Sequence, residues 1–161
     1  MRPPFVRHDP VVAVAPVVLD SPHSGEDYPA EFDHAPPRAI VRQAEDTHVA
    51  RLWSSALAHG ATLVEATFPR AWIDPNRALE DIDPALFAPG ERWPGPVALT
   101  RKTELGIGLV WRLAHGGAPM YARSLTVDEV ERRIAQCWSP YHAAVADAIE
   151  ERHRAFGAVW H

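Results

Sequence analysis

Residues 11–25 read VVAVAPVVLDSPHSG, and their pattern predicts a buried strand followed by a polar turn. Its first part, residues 11–19, is apolar and rich in β-branched side chains, which is typical of a strand buried on both faces. A polar turn, residues 20–25, follows at once. Ligands bind beyond the carboxyl ends of strands in open α/β sheets. The turn is therefore the first place to expect functional residues.

The chain that follows completes a β-α-β unit. A helical pattern predicts a helix over residues 38–59, and Gly60 is a natural stop. Residues 62–66 then predict a second strand. The apolar side of the predicted helix carries Ile40, Val41, Val49, Leu52, Trp53, Ala56 and Leu57. Since 161 residues suffice for one core, we predict a single α/β domain, with a mostly parallel or mixed β-sheet flanked by helices.

A long segment rich in proline and glycine, residues 68–117, follows the second strand. Loops of this length in compact domains usually carry function. A disordered linker is the alternative, but the segment contains Trp72, Trp93 and Trp111, which favour a packed structure. We therefore predict a partly ordered excursion over the edge of the sheet.

The last third of the chain predicts a helix followed by a strand. Thr126 and Glu129 have the spacing of a capping box, which places the helix start at Thr126. Pro140 is expected to kink or restart the helix, and Gly157 to end it. Residues 158–161 then resemble the opening of another buried strand.

Composition excludes several classes of function. The net charge is −5 with both signs mixed along the chain, so no basic surface for nucleic acid is expected. Cys137 is the only cysteine, which rules out an internal disulfide or a cysteine-rich zinc site. No segment is long enough to span a membrane, and Pro16 and Asp20 interrupt the only stretch that resembles a signal peptide. We expect a cytoplasmic protein.

His23 is the first candidate for chemistry, because imidazole is the commonest metal ligand among side chains. Glu26 follows three residues later and gives H-x-x-E, a spacing found in zinc carboxypeptidases. Asp46, in the predicted helix, could bind the same ion or orient His23. The plainer alternatives are a histidine that is merely hydrogen-bonded in a turn and a carboxylate on a solvated helix face.

A second candidate lies in the segment RAWIDPNR, residues 70–77. Arginine can bind a carboxylate through two parallel hydrogen bonds, and Asn76 adds a neutral donor beside Arg77. Asp74 could hold one of the arginines in place. The alternative is a tight Asp-Pro-Asn turn without any function.

Taken in order, these motifs resemble the N-formylglutamate amidohydrolases, and the resemblance covers the chain from about Pro16 onward. The matching positions are residues 21–25, Tyr28, Pro29, Glu45, Asp46, Val49, Leu52, Arg70, Asp74, Asn76, Arg77, Gly106, Gly108, Arg112, Tyr121, Leu125, Glu129, Arg133, Trp138, Pro140, Tyr141 and His142.

The resemblance implies a carboxypeptidase-like or phosphorylase/hydrolase-like α/β fold. It also implies metal-dependent hydrolysis of N-formyl-L-glutamate to formate and glutamate, late in histidine degradation, or of a related N-acyl amino acid. His23 carries over as a ligand of a divalent metal, most simply zinc, with Asp46 favoured over Glu26 as its carboxylate partner. The predicted binders of the substrate's carboxylate are Asn76, Arg77, Arg70 and Arg112.

The resemblance is incomplete at its end. In the family, a strand that opens like residues 158–161 runs into an Asp-x-His-Ser motif that supplies another metal ligand, and the general base also follows it. Both are absent here, so the sequence reads as truncated and we expect little activity from this chain alone. We also expect an exposed sheet edge that favours a homo-oligomer. The alternative function is a non-catalytic module that binds an acidic metabolite or a complementary chain.

Overall fold

The structure, a computed structural model, describes residues 2–161 and contains a mixed three-stranded sheet. Strand β1 is Phe5–His8, β2 is Val18–Ser21 and β3 is Thr62–Ala66. The central strand is β3, with β1 antiparallel on one side and β2 parallel on the other. The predicted α/β class, the mixed sheet and the parallel β-α-β connection are therefore confirmed.

The prediction of a strand over residues 11–19 is correct only at its end, since residues 11–17 lie outside the strand and the strand runs on through Asp20 and Ser21 of the predicted turn. Strand β2 begins only at Val18, and Val11 is fully exposed. The strand cannot extend backwards because β3, its ladder partner, begins at Thr62 opposite Val18. Pro16 also lacks the N–H that a ladder needs. Strand β1, which completes the sheet, was not predicted at all.

The helix predicted over residues 38–59 is interrupted. It consists of α1 (Arg38–Val41) and α2 (Val49–Trp53), each continued by a 3₁₀ turn, at residues 42–44 and 54–59. Between them Glu45 is extended. Gly60 ends the second piece in the left-handed conformation, as predicted.

Tertiary hydrogen bonds explain the interruption. The Glu45 carboxylate accepts from the Tyr28 hydroxyl at 2.6 Å and from Arg42 at 3.0 Å, while the Asp46 N–H donates to the His23 carbonyl at 3.0 Å. The break also rotates part of the predicted apolar side outward. Leu52 is consequently 73% exposed.

The excursion over residues 68–117 is irregular but packed. It contains a short helix, α3 (Arg101–Glu104), and two 3₁₀ turns at residues 84–86 and 115–117. Trp72 and Trp111 are buried in the core, and Trp93 stacks on Phe87 with the ring centroids 6.0 Å apart. The tryptophans thus anchor the loop, as the sequence predicted.

The carboxyl-terminal helix begins at the predicted capping box. The Thr126 hydroxyl accepts from the Glu129 N–H, and the Glu129 carboxylate accepts from the Thr126 N–H. Helix α4 (Val127–Arg133) passes through a π-helical turn at Ile134–Trp138 into α5 (Ser139–Phe156). Pro140 therefore follows an irregular turn without stopping the helix.

Helix α5 ends at Gly157, in the predicted left-handed conformation. Beyond it, Trp160 makes a single parallel bridge to Val17. A buried strand was predicted to open at residues 158–161. Only Trp160 pairs, through this one bridge, and the prediction of burial is wrong because Trp160 is 74% exposed.

Helix α5 lies against all three strands, and this packing places the end of β2 beside the helix. Its sheet-facing side chains Tyr141, Ala144, Val145 and Ala148 are buried. Among residues 2–161, no helix combines the length and the apolar content that crossing a bilayer requires.

Candidate functional site

The turn that follows β2 is held from two directions. The Ser24 hydroxyl donates to the Asp46 carbonyl at 3.0 Å and accepts from the Ala50 N–H at 3.2 Å, so the turn is bonded to the interruption between α1 and α2. On the other side, a Cβ added to Gly25 would lie 2.2 Å from the Phe68 carbonyl oxygen. Only glycine fits so close to the chain that leaves β3.

This turn places His23 between two carboxylates. The Nε2 atom lies 2.8 Å from Asp74 Oδ1, and Nδ1 lies 3.3 Å from Asp46 Oδ2. His23 is buried, whereas about half of the Asp46 side chain is exposed. The predicted pair of His23 and Asp46 is thus brought together at the carboxyl end of the sheet.

Asp74 is a fully buried carboxylate surrounded by donors. Besides His23, it accepts from Arg70 Nη2 at 2.8 Å, from Arg70 Nε at 3.2 Å and from the Asn76 N–H at 2.9 Å. Burial alone raises the pKa of Asp74, but the hydrogen bond and charge of His23, followed by Arg70, lower it below the ordinary value. Asp74 is therefore ionised and can only accept hydrogen bonds.

An ionised Asp74 fixes the proton on Nε2 of His23. The opposite nitrogen, Nδ1, then faces the Asp46 carboxylate. Two chemical states satisfy this arrangement: an imidazolium that donates from both nitrogens, or a neutral imidazole whose Nδ1 shares a cation with Asp46. A carboxylate behind a metal-binding histidine is the usual support for such a ligand.

The ligands that the described residues offer are fewer than a catalytic zinc ion normally has. Such an ion has three protein ligands and one open position. Within residues 2–161, no group of three histidine, cysteine, aspartate or glutamate side chains converges. His23 and Asp46 together fit one side of a metal coordination sphere.

Glu26, the alternative carboxylate partner, lies in a different network. Its carboxylate pairs with Arg42 at 3.1 Å, and Arg42 also binds Glu45. The structure does not bring Glu26 to His23 in the way that it brings Asp46.

Two of the predicted substrate-binding arginines are engaged within the chain. Arg70 is bound to Asp74 and lies over the ring of Trp111, 5.3 Å from its centroid. Arg112 Nε donates to Asp83 at 2.6 Å. Each could bind a second carboxylate through its remaining N–H groups, and the role of both stays a prediction.

The other two predicted binders lie in the turn after Asp74. Arg77 is mostly buried, with Nε 3.8 Å from Asp81 and Nη1 donating to the Asn76 carbonyl. Asn76 is exposed and lines a cavity. Of the four predicted binders, Asn76 is therefore the one that lines this cavity, together with Pro22, which precedes His23 in the chain, and Pro75, which follows Asp74.

This cavity of about 250 Å³ brings together side chains that the sequence did not predict to lie in one place. It is lined by Asp20, Pro22, Pro75, Asn76, Tyr141, His142, Val145 and His161. Asp20 accepts from the Tyr141 hydroxyl at 2.7 Å and lies 3.2 Å from His161 Nε2. Asp20 could have been suspected from its place in the polar turn and Tyr141 from the family resemblance. Their hydrogen bond, which joins residues 121 positions apart, follows from no local pattern.

Two curated relatives match over most of the chain. N-formylglutamate deformylase from Pseudomonas aeruginosa is 26% identical over 149 residues, which cover 88% of this chain and 48% of the relative. The enzyme of the same name from Pseudomonas putida gives the same identity and coverage. The chain thus spans about half the length of the curated relatives it matches.

A solved structure agrees with the fold throughout the chain. The crystal structure of N-formylglutamate amidohydrolase from Ralstonia eutropha JMP134 superposes with a TM-score of 0.94 at 48% identity, over 99% of this chain and 56% of that one. The sequence profile of the family described as N-formylglutamate amidohydrolase matches residues 15–161. The chain therefore belongs to the N-formylglutamate amidohydrolase family.

Proposed function

We propose that this chain takes part in the metal-dependent hydrolysis of N-formyl-L-glutamate, or of a related N-acyl amino acid, with release of formate or another small acyl group. The observation that carries the proposal is the position of His23, held between Asp74 and Asp46 at the carboxyl end of β2. Membership of the family supports the reaction class. A place in histidine degradation, a cytoplasmic location and a homo-oligomeric state stay predictions.

His23 and Asp46 are the proposed ligands of the metal, which we take to be zinc, and Glu26 is the weaker candidate because it pairs with Arg42. Asp74 supports this choice. Asp74 accepts a hydrogen bond from the Nε2–H group of His23. This leaves Nδ1 of His23 as the nitrogen that can bind an ion, beside an oxygen of Asp46. When bound, zinc would lower the pKa of a coordinated water to about 7 and polarise the acyl oxygen.

The residues around the cavity would hold the substrate. N-formylglutamate carries two carboxylates, and the exposed amide of Asn76 is a donor at the cavity wall. Arg77, Arg70 and Arg112 would supply positive charge while remaining paired with acidic side chains. These ion pairs keep the guanidinium groups ordered. Each arginine would therefore bind a substrate carboxylate while keeping its acidic partner.

Metal titration tests the proposal directly. We expect the purified chain to bind one Co²⁺ or Zn²⁺ weakly, because two ligands are fewer than the usual three. His23→Ala should abolish this binding, whereas His153→Ala, a change at an exposed histidine of α5, should leave it intact. Equal loss of binding in both variants, or no binding by the unaltered chain, would contradict the metal site.

A formate-release assay with N-formyl-L-glutamate tests the chemistry. We expect little turnover from these 161 residues. Turnover that disappears in His23→Ala would overturn the expectation of low activity while supporting the role of His23. Glutamate binding that does not depend on metal, without any turnover, would instead favour the non-catalytic binding module.

A further inference from the structure

The turn formed by residues 74–77 carries two groups of the proposed site, Asp74 behind His23 and Asn76 in the cavity. Inside the turn, the N–H groups of Asn76 and Arg77 bond back to Asp74. Two backbone carbonyls of the turn, those of Pro75 and Arg77, have side-chain partners elsewhere. The orientation of the turn therefore depends on those partners.

Both partners belong to the carboxyl-terminal helix. His142 Nε2 donates to the Pro75 carbonyl at 2.9 Å, and Trp138 Nε1 donates to the Arg77 carbonyl at 3.0 Å. Their rings are 3.9 Å apart between centroids, so each ring restricts the orientation of the other. One helical turn thus presents two adjacent N–H donors to the turn of residues 74–77.

Trp138 is the last residue of the π-helical turn. There the Ser139 N–H bonds to the Ile134 carbonyl, five residues back, and Pro140 supplies no N–H of its own. Such turns are rare and frequently occur at functional sites. The irregular geometry lies where the helix meets the turn that carries Asp74.

We propose that Trp138 and His142 are positioning residues, which act on the proposed metal and substrate groups by fixing the peptide planes of residues 75–77. This inference rests on the proposed function of His23 and Asn76. Outer hydrogen-bond partners of this kind orient the groups that bind the metal, and their loss commonly weakens metal binding by about 10-fold or more.

Amide hydrogen exchange of the metal-free chain tests the positioning role without activity. Trp138→Phe keeps the ring and removes its N–H, while His142→Leu removes the other donor. In each variant we expect the amides of Asn76 and Arg77 to exchange about 5- to 10-fold faster, the consequence of one lost hydrogen bond. His142→Gln, which can place an N–H near the Pro75 carbonyl, should restore slow exchange.

Asp147→Asn, at an exposed position of α5, is the matched control and should change nothing. If exchange at residues 76 and 77 is unaltered in both Trp138→Phe and His142→Leu, the inference is overturned. If His142→Leu speeds exchange across the whole helix as well, the comparison rests on Trp138→Phe, the smaller change. In that case unaltered exchange in Trp138→Phe overturns the inference.

Zinc affinity separates this inference from the proposed function. In the positioning variants we expect zinc binding to weaken about 10-fold, with recovery in His142→Gln. Faster exchange with unchanged zinc affinity would overturn the positioning role and leave the metal site standing. Absence of zinc binding by the unaltered chain would overturn the proposed function and, with it, the role of Trp138 and His142 in positioning metal ligands. Faster amide exchange in the variants would then show only that the two side chains stabilise the turn of residues 74–77.

Discussion

Asp74 is the side chain on which the site depends most. A carboxylate removed from water costs several kcal/mol unless donors replace the lost hydration. Here the replacement comes from the imidazole of His23, the guanidinium of Arg70 and the N–H of Asn76. One of the interactions that stabilise the buried charge, the hydrogen bond from His23 Nε2, therefore also orients His23.

Asp74→Asn should consequently lower both stability and metal affinity. Loss of the charge leaves Arg70 without its carboxylate, and we expect the free energy of unfolding to fall by ~3 kcal/mol. Urea denaturation measures this change, and zinc titration should show affinity lowered by about 10-fold. An unfolding midpoint equal to that of Asp147→Asn would contradict this account of Asp74.

The turn after β2 depends on the close approach of Gly25 to the chain after β3. A methyl group at Gly25 would collide with backbone atoms of Thr67 and Phe68, which cannot move aside as a side chain can. We expect Gly25→Ala to destabilise the protein by at least about 2 kcal/mol.

Thermal unfolding would measure this loss. Gly90→Ala is the control. Gly90 has a positive φ, which Gly25 does not, but nothing lies within 4 Å of the added Cβ, so only a cost of about 1 kcal/mol is expected. If the two variants unfold alike, backbone contact at Gly25 is not the cause.

Helix α4 should lose stability in acid through its capping box. The hydrogen bond from Arg123 is the main cause that lowers the pKa of Glu129 to about 2, against partial burial and with help from the Thr126 N–H. Because the pKa is depressed in the folded state, the contribution of Glu129 is complete above about pH 4.5 and is lost towards about pH 2.

Glu129→Gln isolates this charge, since glutamine can still close the capping box. At neutral pH we expect the variant to be less stable by about 1 kcal/mol. The difference from the unaltered chain should shrink as the pH falls from about 4.5 towards 2 and vanish below about pH 2. A difference that persists unchanged in acid would show that packing, and not the charge, is responsible.

Elements that depend on neighbours in the chain were predictable. The capping box at Thr126, the helix ends at Gly60 and Gly157 and the strand over residues 62–66 are all local patterns. The interruption at Glu45 was not, because it arises from contacts with Tyr28 and His23.

The candidate site was likewise predictable only in part. The motifs of the family resemblance indicated both His23 and Asp46 from the sequence. The direct contact between His23 and Asp74, 51 residues apart, appears only when the excursion packs against the sheet. Likewise the fold brings the donor Trp138 to residue 77, across 61 residues, and the donor His142 to residue 75, across 67 residues.

The surface of the described chain retains large apolar side chains. Trp160 is 74% exposed beside β2, and Leu52 and Trp53 are 73% and 50% exposed on α2. Exposed apolar side chains next to a sheet edge favour association between chains. We therefore expect the chain to self-associate as its concentration rises.

Sedimentation velocity over a range of concentrations measures this association. Trp160→Lys should shift the population towards monomer, because a charge beside the edge opposes pairing. Phe156→Lys, on the partly exposed end of α5, is the matched control for an added charge. A monomer at all concentrations would exclude the homo-oligomer for these residues.

The strand order has a consequence for synthesis of the protein. Strand β3 is central, yet it is the last of the three strands to be translated. Neither β1 nor β2 has a ladder partner in the sheet until Ala66 has left the ribosome, so both wait unpaired while residues 22–61 are added. Pairing at such separations is slow and leaves apolar strands open to aggregation. We therefore expect translation rate and chaperone supply to influence the yield of folded protein.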